Sequence, residues 1–260
     1  MKNILLLMLS GTLAFSQISV IGELSTDVNT AEDAEMFTST YTGVTFVDTT
    51  NNWQLSANMN DGALNVEEAW YKWNVGGENF SLTFGSQPEP YGLAWGLHRP
   101  SNNKFVSVPR THDVYDGLGI AGNWSGVGVN ALMGNDDYWA ARVSYTASVG
   151  VDISTGISTN SNDNMLIDGT INGTIASTGF ATSLEYDLSE EADGAYWVRS
   201  SIEPSMLMGA FVTIGYNSVD ESTVYGIGYS ISDNMFITSE ISEDANEETN
   251  TMFRLSYSFK

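Results

Sequence analysis

The chain of 260 residues is poor in several residue types. It has no cysteine, five prolines, and nine lysine and arginine residues against 32 aspartate and glutamate residues. Without cysteine the chain forms no disulfide, so burial and backbone hydrogen bonds must stabilise its fold. The formal net charge of −23 repels the phosphates of a nucleic acid. Nucleic acid is therefore excluded as a partner.

Long apolar runs are also missing. The one short run, Ile4–Leu9, follows Lys2 and precedes the small-residue segment Ala14-Phe15-Ser16. This order is typical of a secretory signal peptide, so we expect residues 1–16 to be removed and residues 17–260 to form the folded domain. Beyond this segment no run reaches the roughly 18 apolar residues that a transmembrane helix needs, which excludes such helices.

What the chain does have is strict alternation of apolar and polar residues. The last segment shows it with Phe253, Leu255, Tyr257 and Phe259 on one face of an extended strand, and Arg254, Ser256 and Ser258 on the other. A soluble sheet would cover its apolar face with a second layer, and no helical segment is available to supply one. In lipid, only helices and closed barrels satisfy every backbone polar group. We therefore predict an all-β fold, a closed antiparallel transmembrane β-barrel in the outer membrane of a Gram-negative bacterium.

The alternation divides the chain into about sixteen strands. The predicted strands are Ile18–Val28, Met36–Val47, Trp53–Met59, Leu64–Val75, Phe80–Ser86, Gly117–Trp124, Val127–Met133, Tyr138–Ala147, Val149–Ser158, Met165–Ile171, Thr174–Leu188, Ala195–Ile202, Met206–Tyr216, Thr223–Ser230, Met235–Ser242 and Met252–Phe259. Fourteen strands are the alternative, because the pattern is weakest at Met165–Ile171.

One connection is far longer than the others. Residues 87–116 follow the fifth predicted strand and contain four of the five prolines. Loops of this length are generally functional or disordered, and apolar residues such as Trp95, Leu97 and Phe105 argue against disorder. By its place in the order of strands this is the third outer loop. We predict that it folds into the lumen and narrows it.

Basic residues and both histidines are concentrated in this loop, and further charged residues lie on one face of the strands. The loop contributes His98, Arg99, Lys104, Arg110 and His112 as candidate constriction residues. Strand parity sends a second set toward the lumen: Glu68, Lys72, Arg142, Arg199, Glu240 and Arg254. The acids Glu23, Asp27, Glu185 and Asp187 share that polar parity. Two interpretations stay open, salt bridges that hold the cross-section of the barrel and a field that draws anions into the pore.

Lys72 and Arg199 need a further argument, because Trp70 and Trp197 share their parity. A lysine or arginine that faces lipid near the midplane costs about 2–4 kcal/mol. A tryptophan near an interface loses little whichever way it points. We therefore expect both cations to face the lumen.

Two segments around the long loop resemble a known family. Residues 80–93, FSLTFGSQPEPYGL, and residues 110–122, RTHDVYDGLGIAG, combine a strand that ends in Gly, a Pro-aromatic-Gly segment, a long loop and a strand start that contains Asp-Gly. This arrangement resembles the porins of the phosphate-selective O/P type. The resemblance implies a passive channel for small hydrophilic solutes and ions, with Arg99, Lys104 and Arg110 as the residues that would favour anions or phosphate at the constriction.

Other functions fit the sequence less well than a channel does. A barrel enzyme would need a rim dyad such as His112-Asp113, but adjacent residues on an extended segment point in opposite directions. A receptor or structural barrel would carry long outer loops, and only one is long. The acidic outer loops could bridge calcium, although they show no EF-hand spacing, and no metal or cofactor site is expected. The expected partners are the lipid bilayer, lipopolysaccharide, the barrel-assembly machinery and, by analogy with other porins, two further copies in a homotrimer.

Overall fold

The computed structural model describes ten ranges of the chain: residues 18–29, 37–48, 52–60, 63–75, 79–90, 114–159, 165–188, 194–232, 234–245 and 249–259. The predicted signal peptide, residues 1–16, lies outside them. Side chains are described throughout these ranges except at a few positions in the first two strands and at Asn60.

Sixteen strands account for most of the described residues. They are β1 Ile18–Asn29, β2 Phe37–Asp48, β3 Trp53–Asn60, β4 Ala63–Asn74, β5 Phe80–Pro88, β6 Val114–Trp124, β7 Val127–Gly134, β8 Trp139–Ala147, β9 Val151–Thr159, β10 Met165–Ile175, β11 Thr178–Asp187, β12 Tyr196–Pro204, β13 Ala210–Asn217, β14 Ser222–Ser232, β15 Met235–Glu243 and β16 Thr249–Phe259.

The strands form one closed antiparallel barrel. Each strand pairs with its neighbours in sequence, and β1 pairs with β16 to complete the ring. The closing register sets Glu23 opposite Ser258 and Ser25 opposite Ser256. None of the sixteen described strands has an open edge, as a backbone in lipid requires. The predicted closed barrel is confirmed, with sixteen strands rather than fourteen.

The two ends of the barrel differ in their connections. At the turn end, the strands are joined by residues 49–52, 75–79, 125–126, 148–150, 176–177, 205–209 and 233–234. At the loop end, they are joined by residues 30–36, 61–62, 89–113, 135–138, 160–164, 188–195, 218–221 and 244–248. In bacterial barrels the short turns face the periplasm and the longer loops face outward, so the loop end is the outer end.

The outer surface of the barrel is apolar. In β16, Phe253, Leu255 and Tyr257 are 40–42% exposed, whereas Arg254 and Ser256, which alternate with them, are 7% and 0% exposed. The same alternation recurs around the ring, with Ile237, Ile227, Ile214 and Leu184 facing outward on four further strands. An apolar outer belt over a polar inner face is the surface of an outer-membrane barrel. Among the described residues, no helix has the length and apolar character to cross a membrane.

The structure corrects the predicted boundary between β10 and β11. Asn172-Gly173 resembles a hairpin turn in sequence, but β10 continues to Ile175 and the turn is Ala176-Ser177, both at positive φ. Positive φ at two successive central residues matches the twist of the flanking strands. Gly173 instead sits where a Cβ would lie 2.5 Å from the carbonyl oxygen of Gly150. Position 173 requires glycine because a neighbouring backbone comes close, not because the chain turns there.

Two further boundaries differ from the prediction. Strand β13 begins at Ala210 rather than at Met206, because a 3-10 helix at Ser205–Leu207 occupies the preceding turn. Strands β5 and β6 extend into the predicted long loop, where Gln87 pairs with Tyr115 and Pro88 pairs with Val114. The connection between them is therefore residues 89–113.

A β-bulge in β4 sets the direction of the predicted pore residues Glu68 and Lys72 and of Trp70 between them. Ser56 of β3 pairs with Glu68 and Ala57 pairs with Val66, so Glu67 is an extra residue in β4. A bulge reverses the alternation beyond it. Leu64 and Val66 face outward before the bulge, and Tyr71 and Trp73 face outward after it. Glu68, Trp70 and Lys72 consequently share the inner face.

Candidate pore wall and interior cavity

The inner face of the barrel is lined by polar and charged side chains that lie close to the wall. Sixteen of these residues are at most 8% exposed, and most are less than 5% exposed. They are Glu23, Ser25, Thr45, Ser56, Glu68, Arg142, Ser158, Asp168, Ser183, Glu185, Arg199, Thr213, Thr238, Glu240, Arg254 and Ser256. Charged groups at such depth need partners, because an isolated buried charge is costly. The candidate pore wall is therefore organised around ion pairs.

Arg142 on β8 forms the best-defined pair, with Asp168 on β10. Its Nη1 lies 2.9 Å from Asp168 Oδ1 and 3.1 Å from Asp168 Oδ2. The other guanidinium nitrogens donate to Ser154 Oγ, at 3.2 and 2.7 Å, and to Thr170 Oγ1, at 3.0 Å. All three guanidinium nitrogens are therefore held on the wall, and Arg142 is balanced by a carboxylate.

The pair crosses over a glycine on the strand between its partners. Gly156 lies on β9, and a Cβ there would stand 2.3 Å from Asp168 Oδ2 and 3.3 Å from Arg142 Nη1. Only glycine leaves room for the two side chains to meet across β9. Asp168 was not predicted as a pore residue. The alternation in β10 is weak, and the apolar residue Leu166 lies on the same inner face as Asp168.

Arg199 on β12 also lies flat on the wall. A Cβ at Gly215, its partner on β13, would stand 2.2 Å from Arg199 Nη1. That nitrogen donates to the carbonyl of Val198 at 3.1 Å. The guanidinium interacts electrostatically with the carboxylates of Glu240 and Glu185, both of which are 1% exposed. Glu240 Oε1 also accepts a hydrogen bond of 3.5 Å from Thr213.

Arg254 is the third buried arginine. It is 7% exposed, and its backbone pairs with Thr238 on one side and with Asp27 on the other. Arg142, Arg199 and Arg254 therefore all lie against the wall in the part of the ring formed by β8 to β16.

The opposite part of the ring carries a cavity. It has a volume of about 470 Å³ and is lined from strands β3 to β7, with Glu68, Trp70 and Lys72 among its lining residues. Its lining on β5 runs from Ser81 to Pro88. At about 3.3 Å per residue this is roughly 23 Å along the strand. The cavity thus follows the inner wall from near the turn end to the loop end.

Hydrogen bonds fix two of the polar groups that line the cavity. Glu68 Oε2 accepts from Gln54 Nε2 at 2.7 Å and from Trp70 Nε1 at 3.1 Å. Gln87 Nε2 donates to the carbonyls of Thr83 and Gly117, both at 3.2 Å. Lys72 is half-buried, in contrast to the three arginines. Of the wall cations proposed from sequence, Lys72 alone lines this cavity.

The first residues of the long connection lie on the inner side of the barrel. Glu89 is 6% exposed and accepts a hydrogen bond of 2.5 Å from the hydroxyl of Tyr138, while Pro90 lines the cavity. The ring of Tyr138 stacks on Tyr115 with centroids 3.5 Å apart. These rings pack with Leu132, Ala140 and Leu166 in an apolar cluster on the inner wall. The inward position of these apolar residues was not predicted from the sequence.

The predicted constriction residues, His98, Arg99, Lys104, Arg110 and His112, lie outside the described residues. Their position in the lumen stays a prediction. Across the ranges that the structure does describe, no group of three or more His, Cys, Asp or Glu residues is arranged to hold a metal ion.

Comparisons with known proteins give the fold a context. No protein-family model matches the chain, and no curated protein sequence matches it. Solved structures do. OmpT, an outer membrane protein of Vibrio cholerae, superposes with a TM-score of 0.64 at 11% identity, over 93% of this chain and 97% of that one. A mutant of the Rh. blastica porin superposes with a TM-score of 0.63 at 11% identity, over 94% and 100%.

This chain has a porin-type fold. A trimer form of the same Vibrio cholerae protein also superposes, with a TM-score of 0.59 at 11% identity over 94% of this chain and 99% of that one. Because the identities are so low, the likeness concerns the path of the backbone. The chemistry of the pore must be argued from the residues of this chain.

Proposed function

We propose that this protein is a passive outer-membrane channel for small hydrophilic solutes and ions. The observation that carries the proposal is the cavity along β3 to β7, which follows the wall of a closed barrel from the loop end to near the turn end. Its lining includes the carboxylate of Glu68 and the ammonium of Lys72, so it suits water and hydrated solutes better than lipid. The porin-type backbone supports the same function.

The division of the inner wall suggests how such a channel is built. From β8 to β16, long side chains are held flat by ion pairs and inward glycines, which keeps the barrel cross-section in shape. From β3 to β7, the wall leaves room. A solute would therefore pass off-centre, along the wall formed by β3 to β7.

The channel can be described further by its preference among ions, and we propose that it favours anions or phosphate. Arg142 is balanced by Asp168, and Arg199 by Glu240 and Glu185, so these wall arginines contribute little net field. A preference for anions would have to come from Arg99, Lys104 and Arg110, which the resemblance to phosphate-selective porins assigns to the constriction. We propose that these three residues set it.

The remaining proposals concern the setting of the channel. We propose a non-enzymatic barrel, because the porin-type backbone and the cavity along the wall support passive diffusion. A homotrimer, contacts with lipopolysaccharide and insertion by the barrel-assembly machinery follow from the porin-type fold by analogy.

Proteoliposome swelling tests the function directly. Refolded protein in vesicles should admit uncharged solutes at rates that fall steeply with solute size, as expected for a narrow path. A variant that fills the cavity, Thr83→Trp, should slow the uptake of every solute, and Phe84→Trp, on the outward face of the same strand, is its matched control. Swelling no faster than in protein-free vesicles would refute the channel.

A further inference from the structure

We infer that the cavity contains a binding subsite for neutral polyhydroxyl solutes, centred on Trp70 and Glu68. The inference rests on the proposed function, since a subsite on the wall selects among solutes only if they pass along it. It goes further, because it names a chemical class of solute and the residues that recognise it.

The size and depth of the cavity fit a small ligand. Its volume of about 470 Å³ lies within the range of roughly 300–1,000 Å³ that is usual for small-molecule sites. Glu68, one of its lining residues, is 2% exposed and already fixed by two donors. Such preorganisation lowers the entropy lost when a ligand binds.

Trp70 supplies the surface on which a sugar ring would lie. Its indole N–H is occupied by Glu68, so the ring is held in one orientation and what remains for a ligand is its apolar surface. Because Trp70 faces inward rather than the membrane interface, where tryptophan rings are common, its ring lies beside any solute that enters the barrel. The bulge at Glu67 is the device that turns it inward.

The mixture of charges argues for a neutral ligand. Glu68 and Lys72 share one strand face and are four residues apart, about 13 Å along the strand. Glu68 would attract a cation and Lys72 an anion, so the lining as a whole favours neither sign of charge. The other polar groups, the amides of Gln54 and Asn130 and the hydroxyl of Thr83, offer both donors and acceptors. Hydroxyl groups, which donate and accept, satisfy such a set best.

Titration calorimetry on the refolded protein in detergent tests the subsite. The probes are sucrose, an ethylene glycol oligomer of matched size and the zwitterion glycylglycine. We expect saturable binding of sucrose that Trp70→Ala weakens by about three- to tenfold, the range expected for the loss of an aromatic contact. Trp73→Ala, on the outward face of the same strand, should leave it unchanged. If Trp70→Ala does not fold, Trp70→Phe, which keeps a ring and loses the bond to Glu68, should weaken binding by a smaller factor.

Three results would overturn the subsite: no saturable heat with sucrose, equal effects of the variants at Trp70 and Trp73, or tighter binding of glycylglycine than of sucrose. Conductance of the same preparation in a planar bilayer separates this failure from failure of the channel. Conductance without sucrose binding refutes the subsite alone. Sucrose binding without conductance supports the subsite and refutes the channel.

Discussion

The guanidinium of Arg142 lies 2.9 Å from the carboxylate of Asp168 across an intervening strand, and the two side chains are 3% and 0% exposed. This bridge joins β8 to β10 over the inner face of β9. Removing one partner from a buried pair leaves an uncompensated charge, which costs about 3–5 kcal/mol.

Asp168→Asn should therefore lower the free energy of unfolding by about that amount. Urea unfolding in lipid vesicles measures it, with the exposed loop substitution Asp136→Asn as the control. The double variant Arg142→Met with Asp168→Leu should recover most of the loss, because an apolar pair carries no unpaired charge. If Asp168→Asn leaves stability unchanged and instead shifts ion selectivity, the pair faces the permeating ions rather than bracing the wall.

Gly156→Ala tests the same bridge from the strand beneath it. The added methyl group would stand 2.3 Å from Asp168 Oδ2, so the pair must part or the strand must shift. Overpacking of this kind costs about 1–3 kcal/mol. Gly169 on the adjacent strand β10 is a matched control, because a Cβ there meets nothing within 4 Å. Similar unfolding midpoints for Gly156→Ala and Gly169→Ala would show that the bridge does not depend on the glycine.

Tyr138→Phe tests how the long connection is attached to the wall. The substitution keeps the stack on Tyr115 and removes the hydrogen bond to buried Glu89. Leaving a buried polar group unsatisfied costs about 1–3 kcal/mol. We expect a lower unfolding free energy and a noisier single-channel current, whereas Tyr145→Phe, on the exposed face of β8, should change neither. A quiet, unaltered current in Tyr138→Phe would mean that this bond does not hold the connection.

Ion selectivity should follow Arg99, Lys104 and Arg110 rather than the net charge of −23. Charges in outer loops are screened beyond about 8 Å in physiological salt, whereas a charge beside the permeation path acts with little screening. Replacing all three with Gln should shift the reversal potential under a salt gradient toward cation preference. Neutralising Glu243, Asp244, Glu247 and Glu248 should change it little. The opposite pattern would contradict the assignment of these cations to the constriction.

The alternation of residues was enough to predict the fold. In β16, Phe253 and Leu255 alternate with Arg254 and Ser256 in the sequence as they do in the barrel, because a strand has a period of two. The boundary between β10 and β11 was wrong because a glycine interrupts the pattern there. The dipeptide Asn172-Gly173 is typical of a turn, but it lies inside β10, where Gly173 allows the close approach of a neighbouring backbone. The bulge at Glu67 is visible in retrospect as a change of apolar parity, from Leu64 and Val66 to Tyr71 and Trp73.

The candidate site was less predictable, because it depends on pairing across strands. Parity identifies which face a side chain takes, but the bridge from Arg142 to Asp168 follows from the registers of β8, β9 and β10 together. The contact between Glu89 and Tyr138 joins residues 49 positions apart. Nothing local in the sequence marks either pair.

Single-channel recording in a planar bilayer tests the central claim most directly, that a conducting path runs through this barrel. The refolded protein should insert in discrete, ohmic current steps, and a deletion of Asn102–Ser107 should enlarge each step, because we expect the long connection to narrow the lumen. Correctly folded protein that produces no steps would contradict the channel, and a deletion variant with unchanged steps would place the connection outside the path.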